Sequence, residues 1–306
     1  MKNIKIDIRT IVNFLDTRLL SIKGKQENIY IDNVADADHV NETTLDWVNK
    51  SKKEKQTIAE CSIAKILLVD PTVEYTENMM NQGKTLLYVE NPRKEIAKVI
   101  DRFFVEYPEA GIHHSAIVAN EAVIGEGTYI AAGCVIGKVK IGRNCVINAN
   151  VVIYDNCELG DNCLIQAGTV IGTDGLGCMR EPDGTLIKFP HLGGVQIGDN
   201  VEIGANCQIA KGVLSDTIIG NGCKINGLCF IAHNCVLEEN VWITGDTMLC
   251  GTVHVEKNAT IFSNVIVRDQ RHIGKGATIG MGAVVTKHVP EGETWLGNPA
   301  RKLDRE

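Results

Sequence analysis

Along most of this chain an aliphatic residue returns every six positions. The longest unbroken series reads Ile219, Ile225, Ile231, Leu237, Ile243, Leu249, Val255, Ile261, Val267, Ile273, Ile279 and Val285. That period fits neither the 3.6-residue stripe of an amphipathic helix nor the alternation of a half-buried strand. Glycine or asparagine often follows closely, as in Ile219-Gly220-Asn221-Gly222 and Ile273-Gly274. Both tolerate the positive φ that a chain needs to turn sharply between very short strands. A sustained hexad predicts a parallel β-helix, with three hexads to a triangular coil.

The same period starts at Ile112 and runs through Val118, Ile124, Ile130 and Ile136. It slips by one residue, then resumes at Ile141, Ile147, Ile153, Leu159, Ile165 and Ile171. From 173 to 194 it stops, over a stretch too long for a corner, so a loop is expected there. It returns at Ile197, Ile203 and Ile209, bulges near Ser215-Asp216 and enters the long series. About nine coils follow, on the order of 40 Å at ~4.8 Å per strand layer.

Residues 1–108 carry no hexads and read as a separate small α/β domain. Strands are expected at Ile29-Tyr30-Ile31, at 64–69 and at 85–89. Asn91-Pro92 reads as an N-cap with proline at the first helical position, and Ile96, Val99, Ile100 and Phe103 recur at helical spacing. A helix over 92–105 follows from that pattern. The β-helix domain is expected over 109–288, with 289–306 as a C-terminal tail.

Composition adds constraints. With 44% apolar but only 5% aromatic residues, the core must be built from small aliphatic side chains. A net charge of −7 supplies no footprint for nucleic acid. No apolar run approaches the ~20 residues of a spanning helix, and Met1-Lys2-Asn3-Ile4 does not open like a signal peptide, so a cytoplasmic protein without membrane insertion is expected. Of the 11 cysteines, Cys134, Cys145, Cys157, Cys163, Cys207, Cys223, Cys229 and Cys235 each stand two residues before a hexad aliphatic. None forms a C-x-x-C pair, so small apolar fillers at one corner of the coil are expected rather than a metal knuckle or a disulfide framework.

These residues resemble the left-handed β-helix, hexapeptide-repeat acyltransferases. The N-terminal domain, the 173–194 loop and the run from Ile203-Gly204-Ala205-Asn206 to Ile231-Ala232-His233-Asn234 are similar to the UDP-3-O-acylglucosamine N-acyltransferases of lipid A synthesis. Ile273-Gly274-Lys275-Gly276-Ala277-Thr278-Ile279-Gly280-Met281-Gly282 and Gly297-Asn298-Pro299-Ala300 look instead like the acetyl-CoA-dependent sugar acetyltransferases. The lipid A branch ends in a helical extension, and the stop soon after Gly297-Asn298-Pro299 favours CoA as donor. The resemblance further implies left-handed coils and a homotrimer with active sites between subunits.

Acyl transfer from a thioester to an amine needs a base, donors for the oxyanion and aligned substrates. The resemblance marks His233 as the base, and imidazole titrates in the range such a base needs. Gly251, 18 residues on and so one coil further at the same corner, is implied as the backbone N–H donor to the thioester oxygen. With Asn234 following His233, no carboxylate is at hand to orient the imidazole, and the orienting group stays open. Asn226 stands where the lipid A branch has an aspartate near the sugar amine, and Lys211 departs from that branch's Asp-Arg-Gly pattern. Asp174, Lys188 and His191 are candidate sugar or phosphate contacts, set against an ordinary solvated loop. Trp47 is implied as a stacking platform for a pyrimidine base. Lys50 and Lys53 stand either beside a diphosphate or on a solvated charged face with Lys52 and Lys55. For the donor, Ser263 and Met281 are expected along the pantetheine path, with Arg268, Lys287 and Arg301 as phosphate contacts.

The first expectation is therefore a metal-free N-acetyltransferase using acetyl-CoA on a nucleotide-linked amino sugar in surface-polysaccharide synthesis. The alternatives are a hydroxyacyl-carrier-protein-dependent UDP-3-O-acylglucosamine N-acyltransferase, a sugar O-acetyltransferase, or a non-catalytic β-helix scaffold.

Overall fold

The computed structural model describes residues 5–303, so the tetrapeptide 1–4 read against a signal peptide lies outside the described residues. The chain divides into two compact units between Tyr107 and Pro108.

The first unit holds a four-stranded sheet in the order Leu19–Lys23, Thr85–Val89, Ile66–Val69 and Leu45–Trp47. The first pair is antiparallel and the others parallel. Ile66–Val69 and Thr85–Val89 are buried along their whole length, as continuous apolar runs require. The expected helix is found at Pro92–Phe103, where the Asn91 side chain accepts from Lys94 N at 3.2 Å, and Ile96 and Val99 are buried. Tyr30–Ile31 is a strand but pairs antiparallel with Ile6–Asp7, outside the main sheet.

The second unit is a left-handed parallel β-helix of many turns. Its three faces are sheets of 11, 9 and 8 strands, mostly two residues long. The first face includes Lys224–Ile225 and Trp242–Ile243, the second Phe230–Ile231 and Met248–Leu249, the third Val236–Leu237 and His254–Val255. Successive coils pair 18 residues apart, as Phe230 with Met248. Where the hexads slip, Tyr129 pairs with Val146 at 17. Strands this short carry little of the twist on which the right-handed crossover preference rests.

Every hexad aliphatic from Ile130 onward is buried in one continuous core. The earliest do not reach it equally. Val118 and Ile124 are partly buried and Ile112 is 51% exposed, because an end coil has only one coil stacked on it. Three residues past many hexad aliphatics the backbone enters the left-handed region, at Asn144, Asn150, Asn162, Asn206, Asn234 and Asn264 or at Gly133, Gly168 and Gly222. The next residue points into the corner, where a small side chain is needed, and the eight cysteines named above sit there fully buried and unpaired. They are not confined to one corner as expected. Cys145 precedes a first-face strand, Cys207 a second-face strand and Cys235 a third-face strand, since all three corners have the same taper.

The 173–194 stretch leaves the coil as an antiparallel hairpin of Cys178–Arg180 and Leu186–Lys188. The segment expected as a tail is instead the end of the prism. Thr294–Leu296 pairs parallel with Thr278–Ile279, then Arg301–Lys302 turns back on it, and Val289 and Ala300 are buried in the common core.

Candidate active site

His233 stands on the turn between Phe230–Ile231 and Val236–Leu237, the edge joining the second and third faces. Ile231 and Ala232 before it are both buried, while the His233 side chain at the turn is half-buried. His233 Nδ1 lies 3.1 Å from Asn234 Oδ1. The orientation of that amide is fixed from both ends. Asn234 Nδ2 donates to the Ser215 carbonyl at 3.1 Å, while Val213 N donates to Oδ1 at 3.0 Å. Oδ1 is therefore an acceptor, so in the neutral imidazole Nδ1 carries the proton and Nε2 is left as an acceptor. Asn234 is the orienting group. Its local signal was an asparagine at the left-handed turn position, with φ 57°, directly after the histidine.

Gly251 lies one coil on, and the Thr252 N–H donates to the His233 carbonyl at 2.9 Å. A Cβ at Gly251 would stand 2.6 Å from His233 Cε1 and 2.7 Å from Nε2. This glycine is required for close approach to the imidazole.

The excursion folds back on the same edge. The His191 and His233 rings meet edge to face, with centroids 5.3 Å apart. Asp174 pairs with Lys188 at 2.5 Å and with Lys211 at 2.8 Å. Lys188 first, then Lys211, holds the Asp174 carboxyl down to about 2. Lys211 was noted in the sequence only as a departure from a pattern, and its pairing across the loop had no signal there.

The expected site residues separate onto two edges. His233, Gly251, Arg268 and Lys287 share the edge between the second and third faces, with Lys287 exposed and Arg268 3.5 Å from Asp269. Asn226, Ser263 and Met281 lie on the edge between the first and second faces. There Asn226 Oδ1 accepts from Gly227 N at 2.8 Å, Ser263 Oγ lies 2.8 Å from Thr244 Oγ1, and Met281 is 74% exposed. Clefts of about 480 and 490 Å³ flank Asn226, the second reaching Ser263. Arg301 is on the final strand pair, its guanidinium donating to the Ala300 carbonyl at 3.0 Å.

In the first unit Trp47 is half-buried in a cleft of about 760 Å³ shared with Asp36, Asp38, Asp46 and Lys52. Three carboxylates make that lining poor for a diphosphate. Lys50 and Lys53 are exposed, and Lys55 is bound to the buried Asp70 at 2.8 Å. Among the described residues no group of three or more His, Cys, Asp and Glu side chains is arranged to hold a metal ion, and no helix is long and apolar enough to cross a membrane.

Two family models match: the bacterial transferase hexapeptide (six repeats) over residues 138–173, and the hexapeptide repeat of succinyl-transferase over 115–155 and 194–227. The UDP-3-O-acylglucosamine N-acyltransferase of Caulobacter sp. (strain K31) is 42% identical over 46% of this chain and 41% of its own. That of Coxiella burnetii (strain RSA 493) is 34% identical over 54% of each, so the chain spans about half the length of these curated relatives. UDP-3-O-acylglucosamine N-acyltransferase 1 of Francisella tularensis subsp. holarctica (strain OSU18) is 33% identical over 72% of this chain and 69% of its own. Among solved structures, a UDP-N-acetylglucosamine acyltransferase from Bacteroides fragilis aligns with a TM-score of 0.58 and 26% identity, covering 63% of this chain and 74% of that one. With the coil geometry and the histidine edge, these matches show that the chain belongs to the left-handed β-helix, hexapeptide-repeat acyltransferases, alongside the UDP-3-O-acylglucosamine N-acyltransferases.

Proposed function

We propose that this chain is an N-acyltransferase that moves an acyl group from a phosphopantetheine thioester to the amine of a UDP-linked amino sugar. The observation that carries the reading is the His233 imidazole, set by Asn234 in the tautomer a base requires and stacked under the Gly251 backbone. In the reaction, His233 Nε2 takes the amine proton as nitrogen attacks the thioester carbonyl. The Gly251 N–H receives the oxyanion, and the pantetheine thiolate leaves as the tetrahedral centre collapses. Oriented donors of this kind are worth most where charge develops. The curated relatives' names support UDP-3-O-acylglucosamine as the acceptor. That favours acyl carrier protein as donor, ahead of the acetyl-CoA reading suggested by the C-terminal motifs.

The two edges are reconciled by assembly. On the second face, outward positions are Ile117, Val135, Val152, Val170, Phe230, Met248, Ile266 and Val284, with Gln208 the one polar exception. Met248 and Ile266 are each 42% exposed. The third face is mixed, with Lys140, Glu158, Gln196, His254 and His272 outward beside Val123, Ile218 and Val236. An apolar sheet face of that extent is a candidate interface between copies. Three prisms with this face toward a common axis would bring the Asn226–Ser263–Met281 edge of one against the His233 edge of the next.

The test is release of pantetheine thiol with UDP-3-O-acylglucosamine as acceptor, comparing hydroxyacyl-carrier-protein with acetyl-CoA. Turnover with the carrier protein, lowered by ~10²–10⁴ in His233→Ala, is expected. Turnover only with acetyl-CoA on another nucleotide amino sugar would transfer the assignment to the acetyl reading. Undiminished turnover in the variant would remove His233 as the base.

A further inference from the structure

The start of the excursion forms a charged knot against the catalytic edge. Asp174 Oδ2 accepts from Lys188 Nζ at 2.5 Å, and Oδ1 pairs with Lys211 Nζ at 2.8 Å. Lys211 occupies the turn directly below His233, since Gln208 pairs with Phe230 and Ile209 with Ile231. Gly175, directly after Asp174, covers both imidazoles. A Cβ there would lie 2.7 Å from His191 Nε2 and 3.1 Å from His233 Cδ2.

His191 is the second observation. It is only 4% exposed, its Nδ1 lies 3.0 Å from the Phe189 carbonyl oxygen, and its buried Nε2 has no hydrogen-bond partner. A carbonyl can only accept, so the Nδ1 carries the proton and a neutral His191 presents Nε2 as an acceptor. A buried acceptor left without a donor is unfavourable unless something else supplies the donor in another state.

We infer that Lys188 and Lys211 form a subsite for a phosphate oxyanion of the acceptor, which Asp174 fills as an internal stand-in until substrate displaces it. Its displacement lifts Gly175 from the two rings and uncovers His191 Nε2, which then accepts from an N–H or O–H of the bound sugar beside His233. This deepens the proposed function, resting on a nucleotide-linked acceptor for its physiological ligand. Two ammonium groups that converge on the two oxygens of one carboxylate suit the diphosphate of such an acceptor, whose two phosphoryl groups each offer two non-bridging oxygens and together carry two negative charges. The exchange is open to solvent, with the side chains of Lys188 and Asp174 exposed by 45% and 43%. Because the Asp174 carboxyl stays ionised down to about 2, ligand rather than ordinary pH change releases it.

The experiment titrates inorganic pyrophosphate calorimetrically into the wild-type chain, Asp174→Asn and Lys211→Met, with melting curves to show that each variant is folded. Asp174→Asn should bind about fivefold more tightly, the effect of removing one competing charge at contact distance in water, and Lys211→Met should bind more weakly. In parallel, diethyl pyrocarbonate labelling of His191, read by peptide mass mapping, should be slow in the free wild type and faster with pyrophosphate. Equal affinities in the three proteins would overturn the subsite. His191 labelling unchanged at saturating pyrophosphate would overturn the uncovering step. Pyrophosphate binding that follows this pattern in a protein inactive on every UDP-linked amino sugar would keep the subsite while removing the proposed acceptor.

Discussion

Substituting Gly251 by alanine isolates the contact between one coil's backbone and the imidazole of the coil before it. The Gly251 backbone is not in the left-handed region, so alanine brings no conformational strain of its own. The added methyl would lie 2.6 Å from His233 Cε1, 2.7 Å from Nε2 and 3.3 Å from Nδ1. An ordinary carbon contact is about 3.5 Å or more, so one partner must retreat by roughly 0.9 Å. The backbone cannot supply that movement cheaply, because Thr252 N is bonded to the His233 carbonyl at 2.9 Å and Cys250 N to the Val267 carbonyl at 3.0 Å. The ring must tilt instead, which strains its rotamer by ~0.5–1.5 kcal/mol and stretches the 3.1 Å bond to Asn234. A displacement near 1 Å at a reacting group lowers turnover by about 10²-fold. The expected result is a kcat reduced by that order with a melting temperature only slightly lowered. It is measured by thiol release beside thermal unfolding. A kcat within about twofold of wild type would refute the placement of His233 Nε2 at the reacting centre.

Three further outcomes follow from the same geometry. Asn234→Gly preserves the φ of 57° while deleting the amide that fixes the His233 tautomer, so kcat should fall by about tenfold or more with little change in melting; unchanged kcat would exclude Asn234 as the orienting group. Asp174 should titrate with a midpoint near 2 when followed by its carboxyl carbon resonance, assigned with Asp174→Asn. Its folded value lies below the ordinary 3.8, so its contribution to stability is present above about 4 and is lost as pH falls toward 2; a midpoint near 3.8 would mean that the lysine pairs do not persist in solution. Replacing Met248 and Ile266 together by glutamate should leave the buried core intact yet break the assembly, with activity falling alongside it in sedimentation and turnover measurements; a monomeric wild type of full activity would refute the apolar face as an interface.

Much of the coil was legible because solenoid contacts are set by spacing alone. Each coil touches only its neighbours, so the aliphatic at one position, the asparagine or glycine three residues later and the cysteine after it have the same surroundings at every turn. The 18-residue return therefore placed Gly251 over His233 from the sequence, and Asn91-Pro92 with its apolar stripe announced the helix ending at Phe103. The first unit was less legible. Leu19–Lys23 and Leu45–Trp47 are short strands whose places depend on long-range pairing with neighbours such as Val89 and Ile66.

The site itself divides along the same line. Local sequence determined which edge carries His233 and which residue stacks above it. The same 18-residue count separates Asn226, Ser263 and Met281 onto another edge, because they follow Ile225, Ile261 and Ile279, one hexad off the Ile231 and Leu249 register within the same unbroken series. Only the folded excursion brought Asp174 to Lys211 and His191 to His233, since residues outside the period have no register from which a partner can be read. The orientation of Asn234 likewise came from Val213 and Ser215, supplied by a bulge that breaks the hexad count and fixes the amide from outside its own coil.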